Sequence, residues 1–189
     1  MKDLKSALLL FVFLTILLGG IYPAVVTIAA SLLFPHQAGG SLVTDGSGKV
    51  VGSLLIGQPF TQAKYFWPRP SATGDFSYNP LLSGGSNLGP TNPELIRRAK
   101  ARVALLRRTG VTGEIPADLV FASASGLDPH ISPEAAQVQI SRVAKARNMP
   151  VEELQKIVAS HTEMRQAAVL GVPRVNVLAL NLALDKVSP

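Results

Sequence analysis

The sequence contains no cysteine. Disulfide scaffolds, thiol catalysis and cysteine-ligated zinc sites are therefore excluded. The absence does not assign a compartment, because a cysteine-free chain suits an oxidising space and a reducing one alike. Charge is also scarce: 16% of residues are Asp, Glu, Lys or Arg, against about 25% in an ordinary soluble domain. Histidine occurs three times. His36 and His161 are isolated, so no metal site follows from spacing. What is abundant is apolar, at 47% of 189 residues. That content, with a modest net charge of +6, excludes disorder as a description of the whole chain. The length allows one soluble domain and something small beside it.

The apolar excess lies at one end. From Ser6 to Pro35 no residue is charged. The run Ala7–Phe34 exceeds the roughly 20 residues that cross a bilayer core, and as a helix it reaches about 40 Å. It is longer than the ~7–15-residue apolar core of a signal peptide, and Ala29-Ala30-Ser31 is a weak cleavage match, so the run reads as an uncleaved anchor. Gly19, Gly20 and Pro23 predict a kink. Lys2 and Lys5 flank the run on its N-terminal side, and the next charge beyond it is Asp45. That bias places the N-terminus in the cytoplasm and the rest outside. No Asp, Glu, Lys, Arg or His lies within the run, so the helix is not itself an ion path. Gly20, Ala24, Thr27 and Ser31 recur at steps that let a neighbouring helix approach closely, and they are candidate partner contacts.

The predicted organisation is a cytoplasmic N-terminus over 1–6, an anchor helix over 7–34, a linker and turn over 35–48, and an extracytoplasmic domain over 49–189. The fold class is α+β, with a single transmembrane helix ahead of one α+β domain. Short apolar runs at Ser41–Thr44 and Val50–Ile56 around Asp45-Gly46-Ser47-Gly48 predict a hairpin. Residues 57–93 are rich in Gly, Pro, Ser and Asn, and their interspersed aromatics predict an ordered, irregular surface. A helix should start at Asn92-Pro93-Glu94 and end at Gly110. Its apolar stripe is Leu95, Ile96, Ala99, Val103 and Leu106, and its other face is basic, with Arg97, Arg98, Lys100, Arg102, Arg107 and Arg108. A second helix should run from the Ser132 cap to about Arg147, and a third from Pro150, burying Leu154, Ile157 and Val158. Leucines alternate at 178, 180, 182 and 184, as in a strand, yet Leu, Ala and Asn favour helix and Asn176 can cap one; helix is preferred.

Motifs that carry chemistry are incomplete. Gly46-Ser47-Gly48-Lys49 lacks the first glycine and final hydroxyl of a phosphate loop, since those positions hold Val43 and Val50. Ser83-Gly84-Gly85-Ser86 resembles the signature loop of transporter nucleotide domains, where amides and a serine meet a γ-phosphate. Ser123, Ser125, Asp128, His130 and Ser132 can be drawn as a hydrolase constellation, but no nucleophile elbow accompanies them. Tyr65, Trp67 and Arg69 belong to types enriched at interaction hot spots, and equally to cores. The basic helix face reads first as a solvated surface. Nucleic acid is not an expected partner of an extracytoplasmic domain.

Four stretches carry a resemblance. They are Tyr65-Phe66-Trp67-Pro68-Arg69-Pro70-Ser71-Ala72, Ser83-Gly84-Gly85-Ser86-Asn87-Leu88-Gly89-Pro90, Ala122 through Ser132, and Pro173 through Leu178 with Leu180 through Asp185. Together with the anchor they closely resemble the C-subunit family of the bacterial Kdp potassium-transporting P-type ATPases, in order and over nearly the whole chain. Pro68 and Ala179 depart from the Gly and Glu expected there. The resemblance implies an inner-membrane complex. Its other members include a channel-like potassium-translocating subunit and a P-type subunit that hydrolyses ATP through a phosphorylated aspartate. ATP, Mg and K+ would be handled by that complex, with no cofactor or metal assigned to this chain. The C subunit is expected to aid assembly or raise activity beside the potassium entrance. Alternatives are a nucleotide contact through Ser83–Ser86 that raises ATP affinity, and an anchored extracytoplasmic hydrolase. The aspartyl-phosphate motif of P-type pumps is absent from the sequence. The soluble part carries 16 basic and 11 acidic residues. Its average field would not enrich potassium, so an effect on entrance would act through shape or through local carboxylates such as Asp118 or Asp128.

Overall fold

The apolar N-terminal run forms one long helix, as its composition requires. The structure, a computed structural model, describes residues 2–187. Met1 and Ser188–Pro189, the ends of the first and last predicted segments, lie outside the described residues. Helix α1 (Lys2–Ile16) passes through a π-helical turn (Leu17–Ile21) into α2 (Tyr22–Leu33). Asp3–Leu33, 31 residues, is long and apolar enough to cross a membrane. The predicted irregularity at Gly19, Gly20 and Pro23 takes the form of this widened turn. Two glycines leave the turn uncrowded, and Pro23 brings no N–H to the helix. The helix side chains are almost all exposed, as a lipid-facing surface would be.

The chain divides into two compact units, one through Val51 and one from Gly52 onward. The first continues after the long helix with the short helix α3 (Pro35–Ala38) and strand β1 (Leu42–Thr44), which pairs with β2 (Val50–Ser53). The turn between them is local chemistry. One Asp45 carboxylate oxygen accepts from the Ser47 and Lys49 amides and the Ser47 hydroxyl at 2.6–3.0 Å, and Gly48 adopts a φ of +83°. These bonds hold the Asp45 carboxyl below its ordinary value, the Ser47 hydroxyl contributing most. Gly46–Lys49 is thus a hairpin turn.

The second unit is the α+β domain. Helix α4 (Pro93–Arg108) starts at Asn92, whose side chain accepts from the Glu94 amide at 2.8 Å, and it ends before Gly110 at φ +93°. Strand β3 (His130–Ile131) leads to α5 (Pro133–Gln137), capped by Ser132, and α6 (Ile140–Arg147) and α7 (Val151–Ser160) follow. Strands β4 (Thr162–Glu163) and β5 (Arg174–Asn176) precede α8 (Val177–Val187). The small sheet is antiparallel in the order β3-β5-β4, with Ile131 opposite Val175 and Glu163 opposite Arg174. Phe66, Leu106, Leu119, Ile140, Leu154, Leu180 and Leu184 form the centre of the core, each fully buried.

Two expectations need correction. The helix expected from Ser132 to Arg147 is interrupted at Val138–Gln139. There the Gln139 side-chain amide donates to the Ala135 carbonyl at 3.0 Å, while its backbone N–H bonds one residue nearer, to Ala136. The side chain takes the acceptor that an unbroken helix would give to the backbone. Arg102 does not belong to the solvated basic face: its guanidinium turns inward and donates to the Leu119 and Pro68 carbonyls. Position 102 lies three residues from Ala99 and four from Leu106, which puts it on the inward stripe. The preference for helix at the C-terminus holds, and the Asn176 side chain accepts from the Ala179 amide at 3.0 Å. The irregular reading of 57–93 holds as well, with one 3-10 turn (Pro80–Leu82) before α4.

Candidate functional site

A backbone outside any helix or strand has many polar groups to satisfy. Residues 63–69 are such a segment, turning inward from exposed Ala63 and buried from Phe66 to Pro68. Their seven consecutive carbonyls all accept from side chains. Arg142 donates to Ala63 and Tyr65 at 2.7 and 3.0 Å, and Arg147 to Lys64 at 2.7 Å. Asn181 donates to Phe66 at 3.0 Å, Gln139 to Trp67 at 3.1 Å, Arg102 to Pro68 at 3.0 Å and the Tyr78 hydroxyl to Arg69 at 2.5 Å. Asn181 and Gln139 also accept, each at 2.8 Å, from the amides of Phe66 and Trp67. Each side-chain amide therefore pairs with one residue as a neighbouring strand would. Pro68 and Pro70 present no N–H, so they add no donor to satisfy.

The cradle is cationic, and aromatic rings offset part of that charge. The Arg142 guanidinium lies 4.5 Å from the Trp67 ring centroid, and that of Arg102 lies 5.7 Å away. Burial, with Arg102 nearby, lowers Arg142 to about 10, still protonated at neutral pH. Arg147, with 2% of its side chain exposed, pairs with Asp185 at 2.6 Å, and the Tyr65 hydroxyl donates to the other oxygen of that carboxylate at 2.9 Å. Burial raises Tyr65, and the bond to Asp185 adds to the effect.

Trp67, with 6% of its surface exposed, is thus held in the core, while Tyr65 and Arg69 are half-buried. Arg69 pairs with Asp128 at 3.0 Å. Burial pushes Asp128 up, but the hydrogen bonds from the His130 side chain and amide and the charge of Arg69 outweigh it, so its carboxyl lies below the ordinary value. Open depressions of about 350 and 590 Å³ flank the pair. Of the serines drawn into a hydrolase constellation, Ser132 caps α5, and the Ser123 and Ser125 hydroxyls lie 3.3 Å from each other. Among the described residues, no serine hydroxyl bonds to His130, and no three His, Asp or Glu side chains gather as a metal site would require.

The Ser83–Ser86 loop lies against Ser123–Gly126. Gly84 donates its amide to the Ser125 carbonyl at 2.8 Å, and the Ser83 hydroxyl donates to the same oxygen at 3.1 Å. A Cβ at Gly85 would stand 3.1 Å from the Ala124 oxygen. Gly126, at φ +68°, would press a Cβ to 2.7 Å from the Thr73 methyl and 2.8 Å from the Gly84 oxygen. These glycines permit the close approach of two loops. Ser86 lines a cleft of about 70 Å³.

On the long helix, Gly20 lies within the π-helical turn, and Ala24, Thr27 and Ser31 follow on α2. All four are exposed, and the last three share one helix face. The buried cradle is what sequence reasoning missed. Its signal was present in buried-looking neighbours of polar residues, such as Asn181 between Leu180 and Leu184.

The model of the family described as "KdpC: K+-transporting ATPase, c chain" matches residues 4–186. A Potassium-transporting ATPase KdpC subunit of Geotalea uraniireducens (strain Rf4) is 64% identical over 188 residues, covering 100% of both chains. The equally named protein of Geobacter sulfurreducens is 62% identical over 189 residues, again covering 100% of both. That of Burkholderia cenocepacia (strain HI2424) is 55% identical over 188 residues, covering 98% of this chain and 97% of its own.

Proposed function

The chain belongs to the KdpC family of K+-transporting ATPase c chains, and on that premise we propose that it is a non-catalytic accessory subunit of an ATP-driven potassium pump. It would hold the complex together and modulate its activity beside the extracytoplasmic potassium entrance. The partners in this reading are the channel-like translocating subunit and the P-type subunit that hydrolyses ATP, which handle K+, Mg and ATP. The helix would cross the bacterial inner membrane once, with Lys2 and Lys5 on the cytoplasmic side. Gly20, Ala24, Thr27 and Ser31 would receive a partner helix. Tyr65 and Arg69 would offer their exposed parts to a partner, with Trp67 stiffening the surface beneath.

One observation carries this reading. The buried side chains of Gln139, Arg142, Arg147 and Asn181 bond to the backbone of residues 63–67, and those of Asn79 and Asn176 to other backbone groups, rather than to a reacting centre. A segment held at every carbonyl gives a stiff surface, and a stiff surface can bias a neighbour's conformational equilibrium if it binds two states unequally. The Gly84 amide, which a phosphate would need, is already engaged by Ser125, and this favours the accessory role over the nucleotide contact.

The test is co-purification of the pump with and without this chain, followed by potassium-stimulated ATP hydrolysis. Loss of assembly or of stimulation without the chain is expected. A pump that assembles and turns over equally well without it overturns the proposal. Protease shaving of sealed spheroplasts tests the orientation: the domain should be cut from outside, which excludes direct contact of Ser83–Ser86 with cytoplasmic ATP. Pump failure in Ser125→Ala or His130→Ala with the complex intact would instead mark a chemical role.

A further inference from the structure

Between β4 and β5 the chain leaves the domain as a small hairpin. Met164 to Val172 are nine consecutive exposed residues. Met164 is 72% exposed, Val169 72%, Leu170 62% and Val172 69%. A soluble domain seldom presents so continuous an apolar projection without a use for it.

The projection is built to remain apolar. Gln166 and Leu170 exchange backbone hydrogen bonds at 2.9 Å in both directions. The Ala168 and Val169 amides donate back to Arg165 and Gln166 at 3.3 and 3.2 Å. At the tip, Ala167 and Ala168 both take positive φ, +50° and +65°. A turn of that kind strongly prefers Asn or Gly. Alanine tolerates the conformation poorly, yet it keeps polar side chains off the tip. The charge on the hairpin is of one sign. Arg165 is exposed and in no ion pair among the described residues, and no acid lies between Glu163 and Asp185.

We infer that this hairpin inserts its tip into the interfacial region of the bilayer, with Arg165 at the level of anionic headgroups. Two observations favour lipid over a protein surface. The Gln166, Ala168, Val169 and Leu170 amides are bonded within the hairpin, which lowers the cost of leaving water. Its cation complements a phosphate-bearing surface, and apolar area combined with basic charge is what drives interfacial binding. The inference rests on reading Asp3–Leu33 as a membrane anchor, which keeps the domain within reach of a bilayer at high effective concentration.

Because the chain lacks cysteine, single nitroxide labels can be placed without background. Val169→Cys is introduced in the full chain, with Phe13→Cys in the anchor and Ala146→Cys on α6 as references. Each is reconstituted in vesicles of phosphatidylethanolamine and phosphatidylglycerol. Accessibility to oxygen is then compared with accessibility to a polar nickel chelate. The label at 169 is expected to favour oxygen several-fold over the label at 146, approaching the label at 13. Arg165→Glu should move the 169 label back toward the chelate. If 169 matches 146 while 13 reports lipid, the inference fails and the anchor reading stands. If 13 also reports water, the anchor reading itself fails. A 169 label shielded from both reagents in vesicles holding the assembled pump would assign the hairpin to a protein partner and overturn the inference.

Discussion

Replacing Gln139 by alanine would strip partners from both the N–H and the C=O of Trp67, which lie in the interior. An unpaired buried polar group costs about 1–3 kcal/mol, so Gln139→Ala should lose ~2–4 kcal/mol of unfolding free energy in a urea titration. A loss no larger than that of an exposed alanine substitution would show that the cradle does not stabilise the domain. Asp128 gives a pH-dependent counterpart. Its folded value is lowered, so its contribution is fully present above the unfolded value of about 4 and is lost as pH falls through the folded one. Wild type and Asp128→Asn should therefore differ most in thermal midpoint above about pH 5, and the gap should shrink as pH falls below about 4. A gap that stays constant with pH would mean that the carboxylate's charge contributes nothing. Glu94 follows the same sign at the surface. Hydrogen bonds from Arg97 and Arg98 hold it near about 2, but solvent screens an exposed pair and its titration should leave stability almost unchanged.

At the scale of elements, the two loops that meet at Gly84–Gly126 give the clearest prediction. Gly126→Ala combines an unfavourable φ with contacts of 2.7 and 2.8 Å, so the loops must part. Limited proteolysis should then cut within residues 83–86 at a rate well above wild type, before global unfolding. Unchanged cleavage would show that the Ser-Gly loop is not held by its neighbour. The elements themselves were legible where the signal is local. Asn92 and Ser132 cap helices because a short side chain reaches an amide two or three residues on, and Asp45 organises its turn in the same way. The three-stranded sheet was not legible. Strands of two and three residues are too short to show a period, and their pairing joins positions as far as 46 residues apart, His130 with Asn176. The cradle was hidden for a related reason. Only the folded chain brings Arg142 and Arg147 against residues 63–65, which lie 77 to 83 positions earlier.

At the scale of the whole molecule, the anchor and the domain make separable predictions. Ala24→Leu or Thr27→Leu adds bulk to an exposed helix face and should reduce recovery of the pump subunits in co-purification. The domain's own unfolding midpoint should not move, because neither residue is buried. Undiminished recovery would remove the small-residue face from the list of partner contacts. The long apolar helix was legible throughout, since thirty uncharged residues leave few alternatives in water. The candidate contacts on Tyr65, Trp67 and Arg69 were legible as a cluster but not as an assignment. An aromatic motif looks the same in sequence whether it faces a partner or, like Trp67, its own core.

The cradle also sets a schedule for biosynthesis. Phe66 is bonded by Asn181, 115 residues later in the chain. A ribosome adding about 5–20 residues per second needs on the order of ten seconds to cover that distance. Throughout that interval the aromatic segment has been made and Asn181 has not. A chain that stops short of Asn181 would therefore strand Tyr65–Trp67 in the open, where quality-control proteases would meet it first.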